Sequence, residues 1–176
     1  MSNVYVSGKK TYLTVFLPSR PSVVCEMLRL ANVTDRDIVY DVGGGDGRIP
    51  IRAVQEPFNA KKAVGIEIHP SLVADALKNV SKLEPSLQRR IEILNRDVFD
   101  CSLEEADKVT AFLTPEANEM IRPKLERELK ETSIVVSSAF EFEKWKPFSV
   151  KSIDVPDRGL YFSHLNLYAY KMDSIY

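Results

Sequence analysis

The chain has 176 residues, 44% hydrophobic and 28% charged, with 24 basic and 25 acidic side chains and a formal net charge of -1. Such a chain fits one globular domain with a full core, and it has no run of roughly 18 apolar residues to span a membrane. The balanced charge lacks the basic excess of a dedicated nucleic-acid binder, and two cysteines (Cys25, Cys101) and two histidines (His69, His164) offer neither a disulfide framework nor a zinc site.

The opening MSNVYVSGKK lacks the basic-then-apolar order of a signal peptide, so the chain reads as cytoplasmic with reduced thiols. After Pro18 and Pro21, Val24, Met27, Leu28 and Ala31 recur at helical spacing and predict a helix over 21–32. IVYDV (38–42) is a short apolar run of the kind that forms a buried parallel strand. A short helix follows the glycine cluster and stops near Glu56-Pro57; AVGIEI (63–68) is the second strand. Pro70 to Leu83 is helical, RIEILN (90–95) is the third strand and KVTAFLT (108–114) the fourth. Residues 115–129 form a helix with a bend expected at Pro123, and SIVVSSAFEF (133–142) is the fifth strand. FSVKSIDV and HLNLYAYKM alternate apolar and polar residues about the PDRG turn at 156–159, which predicts an antiparallel hairpin. Lys61-Lys62 and Arg89-Arg90 read as solvated surface, His69 as a helix-start residue and His164 as structural. The order predicts an α/β fold, a doubly wound, mostly parallel seven-strand sheet with an antiparallel C-terminal hairpin.

Only seven glycines occur, yet Gly43, Gly44, Gly45 and Gly47 fall within five consecutive positions of YDVGGGDGR. They lie at the carboxyl end of the first strand, where sheets of this type bind ligands, and glycine there permits positive φ and close main-chain approach. The dinucleotide fingerprint G-x-G-x-x-G fails, because Arg48 or Pro50 stands where the third glycine belongs. No phosphate-binding Gly-Lys-Ser/Thr follows, and Asp41 and Asp46 would repel a pyrophosphate while favouring a cation. Glu67 ends the second strand, where an acid accepts ribose hydroxyls, and Asp97 follows the third, suited to an adenine amino group. Three acids at three strand tips beside a glycine loop suit a neutral-to-cationic adenosine compound without phosphates, namely S-adenosylmethionine, with S-adenosylhomocysteine as product.

From about residue 20 to 172 this layout resembles the class I S-adenosylmethionine-dependent methyltransferases, a Rossmann-like fold whose mark is a seventh, antiparallel strand. LPSRPSVVCEMLRLANV, DIVYDVGGGDGRIPI, KKAVGIEI and NEMIRPKLERELK, in that order, are similar to the small archaeal protein-lysine methyltransferases, relatives of the non-SET histone-lysine methyltransferases. The resemblance implies a methyltransferase domain over 20–176 and an arm over 1–19 that covers the site. It implies that Asp41, Gly43, Gly44, Gly45, Asp46 and Gly47 line the methionine part of the cofactor. Glu67 and Ile68 would meet the ribose, Asp97 and Val98 the adenine, and Ser19 and Thr114 would complete the cofactor shell. Phe16, Thr114 and Asn118 are the implied substrate-channel residues, with Asn118 or the Thr114 carbonyl orienting the amine. The chain departs from the family at Gly44, often Cys; at Phe16, where a tyrosine is common; and in lacking the Asn-Pro-Pro-Tyr motif of base methylation. The expected partners are proteins with exposed lysines, not nucleic acid or membranes. The alternatives are an RNA or small-molecule methyltransferase on the same fold, or a binding protein without catalysis.

Overall fold

The structure, a computed structural model, describes residues 18–154 and 164–176. Four of its helices begin on proline: α1 (Pro21–Leu30), α3 (Pro70–Val80), α4 (Pro85–Gln88) and α5 (Pro115–Glu128). Proline suits this first position because its fixed φ is already helical and its missing N–H would have no partner there. α2 (Arg48–Val54) starts from Gly47 in the left-handed conformation. The strands are β1 (Ile38–Val42), β2 (Lys62–Glu67), β3 (Ile91–Asn95), β4 (Lys108–Ala111), β5 (Ile134–Ser138), β6 (Ser149–Asp154) and β7 (His164–Lys171).

They form one seven-stranded sheet in the order β3-β2-β1-β4-β5-β7-β6. β1 to β5 pair in parallel, and β7 runs antiparallel to both β5 and β6. The chain reverses direction across the sheet between β1 and β4, which places a crevice at their carboxyl ends. Alternation along the strands sends side chains to two cores. Val39, Ala63 and Val136 join Met27 and Leu28 of α1 and Ala53 of α2 on one face. Tyr40, Val64, Val109 and Val135 join Ile121 and Leu125 of α5 on the other. Asp41, Gly65 and Thr110 are register partners on adjacent strands, and their odd–even phase puts all three on the α1/α2 face.

Several boundaries are tighter than the sequence pattern suggests. β4 ends at Ala111 instead of residue 114, because Thr114 is taken up as the cap of α5. β5 ends at Ser138 instead of residue 142: Ala139 adopts φ 69°, and Phe142 turns into the core. α4 lies in a stretch with no apolar period, which gave no sign of it. α5 continues through Pro123 as a single helix. Arg90 is not solvated surface, since it donates to the main-chain oxygens of Asn59 and Ala60 and braces the entry to β2 and β3. His69 occupies the N-cap of α3, and His164 at the start of β7 meets Asp154 of β6 at 2.6 Å. The expected PDRG turn and residues 1–17 of the expected 1–19 arm lie outside the described residues.

Behind β5, Phe142 stacks on Trp145 with ring centroids 4.4 Å apart and meets Tyr170 edge-on at 5.5 Å. The fully buried Tyr170 hydroxyl accepts the Phe142 N–H at 2.9 Å. Tyr170→Phe keeps the ring and strands that buried N–H, so the expected loss is roughly 1–3 kcal/mol of stability. Urea unfolding midpoints of the two proteins measure it.

Candidate cofactor and active site

Gly43, Gly45 and Gly47 have φ of 76°, 52° and 79°, a region that side chains resist. The amides of Gly43 and Gly44 both donate to the Ile66 carbonyl, at 3.0 and 2.9 Å, so the loop hangs from the end of β2. Gly44 serves close approach instead of positive φ: a Cβ there would sit 3.1 Å from Gly65 Cα. Its smallness suits close packing between loop and strand, since any side chain there would require β2 to give way slightly.

Glu67 is buried and bridges the same two parts. One carboxylate oxygen accepts Gly45 N–H at 3.0 Å, and the other accepts His69 N–H at 2.8 Å. A carboxylate offers about four lone-pair sites, so both oxygens keep capacity for ribose hydroxyls. Asn95 Nδ2 donates to the carbonyls of Glu67 and Ile68, each at 3.1 Å, which ties the half-buried Ile68 to β3. Asp97 caps the short 3-10 turn Val98–Asp100 by accepting Phe99 N–H at 3.0 Å, with Val98 buried beneath it. Since β3, β2 and β1 are consecutive in the sheet, Asp97, Glu67 and Asp41 follow one another across its carboxyl edge.

Asp46 behaves differently from the expectation that it would greet a cation. Arg48 grips its carboxylate through two nitrogens, Nε at 2.8 Å, and holds its pKa below the ordinary range. The same guanidinium donates to the Ser19 carbonyl and so clamps the residues before α1 onto the loop. Asn79 of α3 donates to the Asp46 carbonyl at 3.1 Å. The sequence assigned no such role to Arg48 or Asn79. Thr110 was missed too; its one signal was a hydroxyl between the apolar Val109 and Ala111 of β4.

Phe16 lies outside the described residues. Thr114 serves α5: its hydroxyl oxygen caps Ala117 N–H at 3.3 Å and its carbonyl accepts Asn118 N–H at 2.9 Å. Asn118 is fully buried, and its Nδ2 faces Ser137 Oγ, the Phe140 carbonyl and the Glu141 carbonyl at 3.1 to 3.3 Å. Three acceptors fix the orientation of the amide, and among the described residues its Oδ1 is a buried oxygen without a partner. α5 and the turn after β5 are joined by this side chain at the ligand end of the sheet.

Asp41 is 3% exposed, and Thr110 donates to it at 2.7 Å. Burial, helped by the nearby charges of Glu67 and Asp46, pushes its pKa up to about 7. Between about pH 4 and pH 7 the folded chain therefore holds a proton that the unfolded chain has lost. Stability from this group is present at low pH and declines as pH rises through that window, by at most about 4 kcal/mol. In the ligand-free protein, Asp41→Asn is expected to gain stability relative to the parent as pH rises from about 4 to 7. Denaturant midpoints of both proteins across that range check the sign.

The model of the ANTKMT methyltransferase domain matches residues 41–149, from the first acid to the start of β6. A protein-lysine N-methyltransferase of Saccharolobus islandicus is 43% identical over 139 residues, which are 79% of this chain and 84% of that one. A lysine N-methyltransferase of Xenopus laevis, named for an ATP synthase subunit, is 28% identical over 75% of this chain, which spans only 56% of that longer protein. Among solved structures, an RNA methyltransferase from Salinibacter ruber in complex with S-adenosyl-L-homocysteine superposes with a TM-score of 0.76 at 35% identity, covering 89% of this chain and 94% of the other. The chain belongs to the ANTKMT methyltransferase-domain family and is a class I S-adenosylmethionine-dependent methyltransferase.

Proposed function

We propose that the protein transfers methyl groups from S-adenosylmethionine to lysine side chains exposed on folded proteins, with broad tolerance of neighbouring sequence. The 43% identity to a protein-lysine N-methyltransferase, along most of both chains, carries this reading. The residues present fit the cofactor. Positive-φ glycines bring the main chain to its methionine part, Glu67 has acceptor capacity for the ribose, and Asp97 stands at the adenine end. Gly44 keeps the loop against β2, while Asp46, through Arg48, holds Ser19 at the rim.

S-adenosylmethionine supplies an activated methyl, so the protein's work is placement of a neutral amine. Good alignment contributes about 7–11 kcal/mol. Deprotonating a lysine of pKa about 10.4 near pH 7.4 costs roughly 4 kcal/mol, and an apolar channel beside a cation lowers that. Asn118 is our candidate for orienting the amine, because its Oδ1 is a buried acceptor held in a fixed direction. Thr114 shapes the channel as the cap of α5, and Phe16 would line the lysine stem. The proposed setting is the cytoplasm, and the free thiols of Cys25 and Cys101 fit a reducing compartment. Among the described residues no helix is long and apolar enough to cross a membrane.

A second reading, methylation of RNA, is favoured by the name of the Salinibacter ruber structure. A net charge of -1 weighs against it. Incubation of the protein with labelled S-adenosylmethionine and a cell lysate separates the two. Label removed by protease and mapped to lysine supports our reading; label removed by nuclease replaces it with RNA.

The Glu67 role is tested by Glu67→Gln. Both carboxylate oxygens face N–H donors, so either orientation of the glutamine amide sets NH2 against an N–H. Cofactor affinity is expected to fall about ten- to a hundredfold, read by calorimetric titration of the folded variant.

A further inference from the structure

The three acids of the glycine-loop region are not equivalent as anions. Glu67 receives two main-chain N–H groups, and Asp46 receives an arginine. Asp41, the most deeply buried of the three, receives the neutral hydroxyl of Thr110. Its β2 register partner is Gly65, which has no side chain to offer. The charges acting on it are those of Glu67 from β2 and of Asp46 in the loop, the latter offset by Arg48. An isolated carboxylate in such a place is costly unless a cation joins it or a proton neutralises it. This carboxyl stands at the ligand end of β1, beside the loop assigned to the sulfonium-bearing part of the cofactor.

We propose that Asp41 makes the site distinguish S-adenosylmethionine from its demethylated product by charge. The carboxyl is ionised while the sulfonium cation is present and takes a proton from solvent once the methyl has left. The balance closes. The S–CH3 bond breaks with its electron pair staying on sulfur, and the amine lone pair forms the N–CH3 bond. The positive charge thus passes from sulfur to the substrate nitrogen and leaves with it. What remains is a neutral thioether beside a buried anion, and protonation of that anion removes the electrostatic mismatch. The same anion favours the next cationic cofactor over the spent one. No direct contact is required, because charges inside a protein act over several ångströms. Thr110 is the positioning residue: its hydroxyl is the donor that steadies the ionised form.

This inference rests on the cofactor assignment and is tested without turnover. Each ligand is titrated calorimetrically into the protein near pH 6, in two buffers of different ionisation heat. Binding of S-adenosylmethionine is expected to release up to one proton, and its affinity to rise by up to about tenfold per pH unit below about 7. S-adenosylhomocysteine is expected to release none. Asp41→Asn should abolish the difference in proton release and reduce the preference for S-adenosylmethionine about ten- to a hundredfold. Protons exchanged by the ligand itself persist in that variant and cancel in the comparison. Thr110→Val should move the pH of proton release upward, and Thr110→Ser should restore it, which keeps the test open should the asparagine variant fail to fold. Equal proton release by both ligands, or an asparagine variant that retains the preference, overturns the proposal. If neither ligand binds the unaltered protein, the cofactor reading falls with it.

Discussion

The ligand end of this sheet depends on one latch. The Glu67 carboxylate takes the Gly45 amide from the loop and the His69 amide from the start of α3, while the Ile66 carbonyl takes Gly43 and Gly44. A loop with three glycines at positive φ has little conformational preference of its own. What holds it is this set of hydrogen bonds from the end of β2, together with packing that sets Gly65 Cα 3.1 Å from a Cβ at Gly44 and Ala76 of α3 3.1 Å from a Cβ at Gly47. Under the proposed cofactor assignment, the acid that would take the ribose also shapes the loop that would meet the methionine part.

Around that latch the charges are sorted. Arg48 neutralises Asp46 and reaches back to Ser19, so one side chain closes the rim of the site and cancels a carboxylate that would otherwise add to the negative field. Asp41 is left with a hydroxyl in a face otherwise formed by Val39, Ala63 and Val136. Unpaired buried groups of this kind concentrate where a ligand completes the pairing. In the first turn of α5, Asn118 is held by three acceptors and keeps one buried oxygen without a partner among the described residues. In the proposed function, the buried acid would face a cationic methyl donor and the buried acceptor an amine.

The relatives agree on the chemistry and diverge in the substrates their names carry. The kinship to a lysine methyltransferase runs along most of both chains, whereas the animal relatives are about twice as long as the aligned stretch. The 35% identical neighbour named for RNA shares the same compact architecture. A shared methyltransferase fold therefore does not choose the acceptor. Under the proposed function, the choice would lie near α5 and the turn after β5, which Asn118 joins.

Much of this molecule was legible in its sequence. Among the described residues, alternating apolar runs and helical periods located all seven strands and four of the five α-helices, because burial on a sheet or a helix face imposes a local period that residues must obey. The dense glycines and the three strand-tip acids, which the cofactor proposal rests on, could be picked out because turn geometry and strand ends are local too. Element ends were less legible: β5 stops at Ser138 because Phe142 is drawn into an aromatic core completed by Tyr170, 28 positions away. The partners were not legible at all. That Glu67 reaches Gly45, that Arg48 cancels Asp46 and touches Ser19, and that Thr110 donates to Asp41 are consequences of strand register and helix packing. By itself the sequence determined where the acids sit, since an acid at a strand tip is a local fact. Only the tertiary structure decided which acids are satisfied as anions and which must wait for a proton or a cation, because that depends on donors brought from 22 and 69 positions away.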